Sequence, residues 1–225
     1  FSLGTPAPGE IGVVENLLID RAFSASDSEA NEIAELSDIT PAVPHNISNA
    51  LAAAALALSI GIKYEFIKNG LKNFSADHHR MELVVSKNEI NWIDDSKATN
   101  PHAAIASLLS NFKIIWIAGG LAKGASMGEL VLRCANRIKA VILIGQDREI
   151  IATAFMQHAK GVEIIRVDQV GDARTLMSDV VKAAKKLAQP GDTVLLAPAC
   201  ASMDQFDSYS QRGQLFAQAV KEELL

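Results

Sequence analysis

The sequence has few cysteines, few aromatic residues and no excess of positive charge. Of its 225 residues only two are cysteine and 5% are aromatic, whereas 49% are hydrophobic. Cys134 and Cys200 are too few for a disulfide framework, and their spacing matches no metal-binding pattern. This use of cysteine is typical of a reducing compartment, so we expect a cytoplasmic protein and no bound structural metal.

Charge and hydropathy exclude two further classes of protein. The 26 acidic and 21 basic side chains leave a net charge of -5, so no positive field attracts a nucleic-acid backbone. The longest nearly apolar stretch, Ala50 to Ile62, is shorter than the roughly 20 residues of a membrane-spanning helix. We therefore expect neither a nucleic-acid partner nor a membrane span.

The first forty residues show no clear pattern of packed elements. Gly12 to Asp20 predicts at most one short strand before a turn, and Ser24 to Asp38 is acidic and serine-rich, which is typical of an exposed loop. We expect this region to lack a core of its own and to be loosely held. The chain begins at Phe1 without the pattern of a targeting peptide, and we interpret this start as a cut.

A boundary between two domains is predicted near residue 76. The segment from Pro44 to Leu58 is rich in alanine and leucine and predicts a helix, with Asn46 as its cap. A shorter helix, Tyr64 to Leu71, precedes a polar stretch that is typical of a linker. We therefore divide the chain into residues 1–76 and 77–225.

Beyond the linker, short β-rich runs alternate with helical runs. The run Ile114 to Ile117 is apolar on both faces, as strands covered by helices on each side must be. This alternation predicts the α/β class, with a doubly wound, mostly parallel, Rossmann-like sheet entered through a β-hairpin. Ligands of such sheets bind beyond the carboxyl ends of the strands. We therefore expect the chemistry in the loops after Ile93, Ala118 and Ala197.

Each of these loops carries groups suited to a polar ligand. Asp94 to Asn100 places charges and hydroxyls before a helix, whose free N–H groups favour an anion. Gly119 to Gly124 contributes glycines that let a ligand approach the backbone, and Lys123 can neutralise a carboxylate or phosphate. Pro198 to Phe206 adds a hydroxyl and a carboxylate at a turn. A capping segment with solvated charges, or a tight turn around an inert cysteine, is the structural alternative.

Taken together, these motifs resemble those of the bacterial Mur ligases, most closely the branch that adds D-glutamate to UDP-N-acetylmuramoyl-L-alanine. The matching motifs, in family order, are His45-Asn46-x-x-Asn49, His79-Arg80-Met81-Glu82, Asp95-Ser96-Lys97-Ala98-Thr99-Asn100, Gly119-Gly120-x-x-Lys123, Pro198-Ala199-Cys200-Ala201-Ser202-Met203-Asp204-Gln205-Phe206 and Gln211-Arg212-Gly213. The resemblance implies an ATP-dependent ligase of peptidoglycan synthesis, with a role in cell wall biogenesis, cell shape and division. In that family ATP phosphorylates a carboxylate, and the amine of D-glutamate attacks the resulting acyl phosphate.

The same resemblance implies the identity of the two domains. Residues 1–76 correspond to a C-terminal remnant of the central P-loop ATPase domain with the linker, and residues 77–225 to the C-terminal dinucleotide-fold domain that binds the amino acid. The family's UDP-binding domain, P-loop, Mg²⁺ ligands and modified lysine have no candidate in this sequence. The expected ligands are ATP, Mg²⁺, D-glutamate and UDP-N-acetylmuramoyl-L-alanine, with Mg²⁺ ligated mainly outside this chain, and a monomer is expected.

Roles for individual residues also follow from the resemblance. The expected catalytic residues are Lys97, nearer the reacting phosphate, and Lys123. The residues expected to bind the amino acid are Thr99, Lys123, Ser202, Met203 and Tyr209. The residues expected to bind the nucleotide are His45, Asn46, Asn49, Arg80 and Asp95, with Arg80 and Asp95 facing each other around the ribose.

Two other functions stay open at this point. An NAD-binding oxidoreductase domain has a similar fold, but the loop at Gly119 does not match the G-x-G-x-x-G fingerprint. A non-catalytic nucleotide-binding or regulatory module fits the absence of a P-loop.

The 225-residue chain by itself is predicted neither to hydrolyse ATP nor to form an amide bond. The nearest approach to the P-loop pattern, Gly4 to Gly9, is followed by Glu10, whose carboxylate repels phosphate. Without a phosphate cradle and a metal ion, the charge on the transferred phosphoryl group is not neutralised. Phosphate release with ATP, Mg²⁺, D-glutamate and the UDP-linked acceptor is the measurement, and turnover by the purified chain would contradict the prediction.

Overall fold

The computed structural model describes residues 1–75 and 77–225, which form two compact units, Phe1–Ala76 and Asp77–Leu225. Each unit has its own hydrophobic core. The assignment of the first unit to a central ATPase domain stays a prediction. In the described part of the chain no helix combines the length and apolar character that crossing a bilayer requires.

The first unit contains a small antiparallel sheet and two helices. Its elements are β1 (Ile11–Val14), β2 (Leu17–Asp20), β3 (Asn31–Glu35), a 3₁₀ turn (Leu36–Asp38), α1 (Pro44–Ser59) and α2 (Tyr64–Asn73), with the strands in the order β1-β2-β3. Leu18 and Ile33 of this sheet are buried in one cluster with Leu51 of α1 and Ile67 of α2. The expectation that the first forty residues are irregular is therefore wrong, whereas their buried side chains form a core only together with α1 and α2.

A buried carboxylate explains why the sequence pattern concealed this sheet. Asp20 occupies an inward position of β2, where an apolar residue is expected, and it is fully buried. Its oxygens accept hydrogen bonds from the Ala22 and Phe23 amides at 2.7 and 3.1 Å and from the Tyr64 hydroxyl at 2.7 Å. A carboxylate can occupy a core position when it is hydrogen-bonded in this way, so the alternation of apolar residues is interrupted without loss of the strand.

Helix α1 begins at Pro44 as predicted, but its N-cap differs from the prediction. The helix begins at Pro44 with Val43 as its N-cap, so Asn46 lies inside the first turn. Proline suits the first helical position because it lacks the N–H that would be unpaired there. The Asn46 side chain instead donates to the Pro41 carbonyl at 3.1 Å, ahead of the helix.

The second unit is a six-stranded sheet with helices on both faces. Its strands are β4 (Glu82–Lys87), β5 (Ile90–Asp94), β6 (Ile114–Gly119), β7 (Ile138–Ile144), β8 (Glu163–Arg166) and β9 (Thr193–Leu196), and its helices are α3 (Pro101–Leu109), α4 (Gly128–Cys134), α5 (Arg148–His158), α6 (Ala173–Leu187) and α7 (Tyr209–Leu224). The strand order is β4-β5-β9-β6-β7-β8, parallel except for the hairpin of β4 with β5. The predicted α/β class and mostly parallel sheet are confirmed.

Strand β6 is apolar on both faces because helices cover both sides of the sheet. Ile114 and Trp116 pack in one core cluster with α3, α4 and α5, whereas Ile115 and Ile117 pack in the other with α6 and α7. Because successive side chains of a strand point to opposite faces, a central strand needs apolar residues at every position. The insertion of β9 between β5 and β6 brings the carboxyl ends of these three strands side by side.

Replacement of Leu18 by alanine is predicted to destabilise the first unit by about 2–5 kcal/mol, the usual range for a leucine truncated in a core. Leu18 is 0% exposed on β2, whereas Leu56 of α1 is 71% exposed. Leu56→Ala is the matched control and is expected to change the free energy of unfolding by less than about 0.5 kcal/mol. Amide hydrogen exchange along β1 to β3 reports the effect, and equal exchange rates in Leu18→Ala and the parent chain would contradict the prediction.

Candidate functional site

Backbone hydrogen bonds join the three loops that follow β5, β6 and β9. The Ala199 amide donates to the Ala98 carbonyl at 2.9 Å, and Leu121 and Ala201 exchange hydrogen bonds of 2.9 and 3.0 Å. We call these joined loops (residues 95–100, 119–124 and 197–206) the loop platform. Thr99, Lys123 and Ser202 each lie within two residues of one of these bonds, so one platform carries all three.

The glycines of the loop platform serve close packing of the backbone. Gly119 and Gly120 have φ of +120° and +126°, in the region that favours glycine. A Cβ on Gly119 would lie 1.9 Å from the Ile144 carbonyl oxygen, and one on Gly120 would lie 2.1 Å from that of Ala201. At both positions a neighbouring carbonyl group therefore fills the space that a side chain would need, and approach of a ligand to these glycines stays a prediction.

Lys123 is an exposed cation at the tip of the loop after β6. Its φ of +50° is unusual for a residue with a side chain, and within residues 1–75 and 77–225 its ammonium group has no ion-pair partner. Met203, on the loop after β9, is also largely exposed, whereas Ser202 beside it is buried. The platform thus presents a cation and an apolar side chain outward from a buried turn.

Lys97 and Tyr209 are brought together although they are far apart in the sequence. The Lys97 ammonium lies 5.1 Å from the centre of the Tyr209 ring and 3.5 Å from a carboxylate oxygen of Asp77. The Ser96 hydroxyl donates to the Tyr209 carbonyl at 2.7 Å and so anchors the start of α7 to the loop after β5. Because Asp77 is exposed, its pairing with Lys97 is weak and can be exchanged for another anion.

Arg80 and Asp95 have separate partners, which differs from the expected arrangement in which they face each other. Asp95 is 8% exposed and accepts hydrogen bonds from the Met81 amide and the Ser107 hydroxyl. Its own amide donates to the Leu196 carbonyl at 2.8 Å, so it continues the register of β5 and turns inward. The Arg80 guanidinium is exposed and lies 3.8 Å from Asp77. A role of either residue toward a nucleotide stays a prediction.

The remaining residues expected at the nucleotide lie in the first unit. His45, Asn46 and Asn49 occupy the first turns of α1, where His45 and Asn46 are half-buried and Asn49 is exposed. Their contact with a nucleotide stays a prediction.

Arg212 lies in the motif Gln211-Arg212-Gly213, from which no role is predicted for it. The Arg212 side chain is fully buried, and its guanidinium donates to the Ser96 hydroxyl at 3.0 Å, the Ser96 carbonyl at 2.9 Å and the Cys200 carbonyl at 3.3 Å. Burial lowers the pKa of Arg212 to about 10, so it stays charged near neutral pH. The guanidinium therefore ties the loops after β5 and β9 together from within.

The same burial makes the Cys200 thiol unreactive. Burial raises its pKa to about 12, and only the thiolate is a nucleophile. The alternative of an inert cysteine at a tight turn therefore describes Cys200.

His79 was likewise quoted in a motif without a role. Its Nδ1 lies 2.7 Å from Asp94, its Nε2 lies 3.2 Å from the Ser210 hydroxyl, and its amide donates to Glu82 at 3.0 Å. Burial raises the pKa of Asp94, whereas the hydrogen bond from the His79 amide lowers that of Glu82. The position before β4 was interpreted as linker, and nothing in the local pattern predicts Ser210 as a partner 131 residues away.

The cluster around His79 also offers atoms that can ligate a metal. His79, Glu82 and Asp94 each place one such atom within 4.8 Å of the others. The hydrogen bonds from His79 to the two carboxylates already account for this geometry, so we assign no metal ligand here.

Comparison with known proteins decides the family. A family model described as "Mur ligase, glutamate ligase domain" matches residues 79–200, more than half of the chain. The chain belongs to this family. The resemblance to the Mur ligases predicted from the motifs is thus confirmed, and the matched range starts at His79 and ends at Cys200.

Two curated relatives of this chain share the same name. The chain is 51% identical over 223 residues to the UDP-N-acetylmuramoylalanine--D-glutamate ligase of Streptomyces coelicolor, which covers 99% of the chain and 47% of that protein. The protein of the same name in Mycolicibacterium smegmatis is 44% identical, with coverage of 98% and 50%. The chain spans about half the length of the curated relatives it matches.

Two solved ligase structures share the fold of this chain. A pseudomurein peptide ligase type C from Methanothermus fervidus matches 98% of this chain and 43% of its own, with a TM-score of 0.63 and 19% identity. A UDP-N-acetylmuramate-alanine ligase from Thermotoga maritima matches 92% and 43%, with a TM-score of 0.59 and 17% identity. At these identities the likeness concerns the fold alone.

Asp95 is predicted to make the protein less stable as the pH rises from about 4 to 6. Burial raises its pKa from 3.8 in the unfolded chain to about 6, so the unfolded state releases the proton first. The stabilisation present below pH 4 is lost as the pH passes through this window, by about 3 kcal/mol at about 1.4 kcal/mol per pKa unit.

Asp95→Asn, which cannot ionise, is expected to flatten this part of the stability profile. Asp179→Asn is the matched control, because Asp179 is about half exposed on α6. Urea unfolding at several pH values measures the slope. An unchanged slope in Asp95→Asn would show that the Asp95 carboxyl does not titrate in this window.

Proposed function

We propose that this chain is part of an ATP-dependent ligase that joins D-glutamate to UDP-N-acetylmuramoyl-L-alanine through an acyl phosphate. The observation that carries the proposal is the loop platform, where backbone hydrogen bonds unite the loops of Thr99, Lys123 and Ser202. The shared name of relatives at 41–51% identity supports the choice of substrates.

Lys123 and the adjoining turn suit the carboxylates of the incoming amino acid. Glutamate carries two carboxylates. Lys123 has no ion-pair partner among the described residues, so it binds one of them without first breaking an ion pair. Thr99 and Ser202 add hydroxyl groups on the two neighbouring loops. The buried charge of Arg212 adds positive potential beneath the platform, which favours an anionic substrate.

Lys97 suits the reacting phosphate. Its ammonium group is held beside the Tyr209 ring, and its pairing with the exposed Asp77 is readily exchanged. A phosphate placed there would have its negative charge offset while the amine attacks the acyl carbon. The reaction needs such positioning and charge neutralisation more than a nucleophilic side chain, which agrees with the inert thiol of Cys200.

ATP is proposed as a substrate, with Arg80 and Asp95 of the second unit as candidate nucleotide-binding residues. Arg80 is exposed and suits a polar ligand, whereas the carboxylate of Asp95 already accepts two hydrogen bonds within the protein. We assign Mg²⁺ to no residue described here.

The glycine geometry argues against an oxidoreductase. A dinucleotide site needs glycines that leave room for a pyrophosphate. At Gly119 and Gly120 the missing side chains instead make room for the carbonyl groups of Ile144 and Ala201.

The function is tested in the full-length polypeptide that contains this chain. With ATP, Mg²⁺, D-glutamate and UDP-N-acetylmuramoyl-L-alanine, it should release phosphate and form one amide bond for each ATP. Absence of amide product with all four components present would overturn the proposal and favour a non-catalytic module.

Lys123→Ala in that polypeptide is predicted to raise the KM for D-glutamate about 10- to 100-fold, which corresponds to loss of one charge-assisted contact. The KM for ATP should change less than about threefold, because the lost contact is to the amino acid. Steady-state kinetics with each substrate varied in turn measures both constants.

Lys160→Ala is the matched control, since Lys160 is an exposed lysine in the turn before β8, at the opposite end of the strands. It should leave both constants unchanged. An unaltered KM for D-glutamate in Lys123→Ala would refute the role of Lys123.

A further inference from the structure

Three side chains from three separate segments of the second unit form a hydrogen-bonded chain. Asp94 at the end of β5, His79 before β4 and Ser210 in the first turn of α7 are linked by distances of 2.7 Å (Asp94 Oδ2 to His79 Nδ1) and 3.2 Å (His79 Nε2 to Ser210 Oγ). A carboxylate can only accept, so His79 carries its proton on Nδ1. Its Nε2 then presents a lone pair, and the Ser210 hydroxyl donates to it.

The surrounding residues hold the hydrogen-bonded series of Asp94, His79 and Ser210 in one geometry. The other oxygen of Asp94 accepts a hydrogen bond from the Ser96 amide at 2.8 Å, which fixes the carboxylate. The imidazole packs edge-on against the Tyr209 ring. It also fits closely against α7, since a Cβ on Gly213 would lie 2.2 Å from His79 Nδ1 and 2.6 Å from Asp94 Oδ2. Only glycine at this helical position leaves room for the pair.

Ser210, the exposed member of this hydrogen-bonded series, lies next to the proposed reacting centre. Ser210 is partly exposed, whereas His79 and Asp94 are buried. Ser210 follows Tyr209, whose ring contacts the Lys97 ammonium. A proton that reaches the Ser210 hydroxyl can therefore pass inward to a buried imidazole.

We propose that Ser210, His79 and Asp94 form a proton relay for the amine of the incoming amino acid. This inference rests on the proposed function, and it supplies a proton acceptor beside the lysines and hydroxyls of the loop platform. The lysines and hydroxyls assigned there carry or hold protons and do not accept them at neutral pH, yet an amine that forms an amide bond must lose a proton.

The step conserves protons and electrons. The amine nitrogen forms a bond to the acyl carbon, and the bond from that carbon to the phosphate oxygen breaks, with phosphate leaving on the electron pair. As the N–C bond forms, a proton of the amine passes to Ser210 Oγ and the Ser210 proton passes to His79 Nε2. Asp94 stabilises the imidazolium, which returns its proton to solvent before the next turnover.

The rate of the amide step should fall as the pH is lowered, because a protonated His79 accepts no further proton. Charged and titratable groups on the packed elements bear on this ionisation. They are Glu82 of β4, Asp94 of β5, Tyr209 and Arg212 of α7, and the neighbouring His78.

Ser210→Ala in the full-length polypeptide is the decisive variant, because Ser208, which caps α7, stays in place. Rapid-quench kinetics with hydroxylamine trapping should show acyl phosphate formed at the parental rate and then accumulating. Amide formation should be about 100-fold slower, within the usual range for general acid–base catalysis, with the KM for D-glutamate changed less than about threefold. The fall in the rate of amide formation at low pH should disappear in this variant.

Ser208→Ala is the matched control. It removes the hydroxyl that accepts a hydrogen bond from the Gln211 amide at 3.0 Å and so loosens the same end of the helix. It leaves the relay residues unchanged. It should keep the parental pH profile and accumulate no acyl phosphate. A Ser208→Ala enzyme that behaves like Ser210→Ala, or a Ser210→Ala enzyme within threefold of the parental amide rate, would overturn the relay.

A measurement on the 225-residue chain itself does not depend on catalysis. Nitrogen NMR of the histidine rings at pH 8 should show His79 protonated on Nδ1 and not on Nε2. The opposite tautomer would overturn the relay whatever the activity.

If the unaltered full-length enzyme forms no amide, the proposed function fails. If it forms the amide and Ser210→Ala does so equally fast, the relay alone fails.

Discussion

The buried guanidinium of Arg212 is the interaction on which the arrangement of the site depends. A charge taken out of water is tolerated only if its donors are satisfied, and here the acceptors are the Ser96 hydroxyl and two backbone carbonyls from different loops. Since the arginine lies on α7 and the acceptors follow β5 and β9, satisfying this one charge fixes three segments relative to one another. Lys97 follows Ser96 and Ser202 lies two residues after Cys200, so the positions of both depend on the Arg212 guanidinium.

The order of the strands makes this interaction possible. With β9 inserted between β5 and β6, the loops that carry the family motifs emerge at one edge of the sheet. Backbone hydrogen bonds then join them directly, and the glycines after β6 allow the close approach. The site is consequently built on the rigid ends of central strands, with helices covering both faces.

Several features of the second unit could be predicted because they depend on local sequence. The sequence predicts a helix directly after Asn100, and α3 begins there at Pro101, since Asn100 caps it and proline suits its first position. The apolar run of β6 likewise signalled a strand covered on both sides. In the first unit, by contrast, β3 was interpreted as loop, because a strand of five residues with polar ends resembles an exposed segment until its neighbours bury it.

The sequence by itself determined the class of fold and the family, because periodicity, helix caps and contiguous motifs each depend on residues that lie close together in the sequence. Only the tertiary structure decided how distant residues combine. His79 pairs with Asp94 and Ser210, Asp95 with Met81 and Ser107, and buried Arg212 with Ser96 and Cys200. These hydrogen-bonded partners lie 12 to 131 residues apart in the sequence. Hydrogen bonds of this kind arise from packing, which no local pattern encodes.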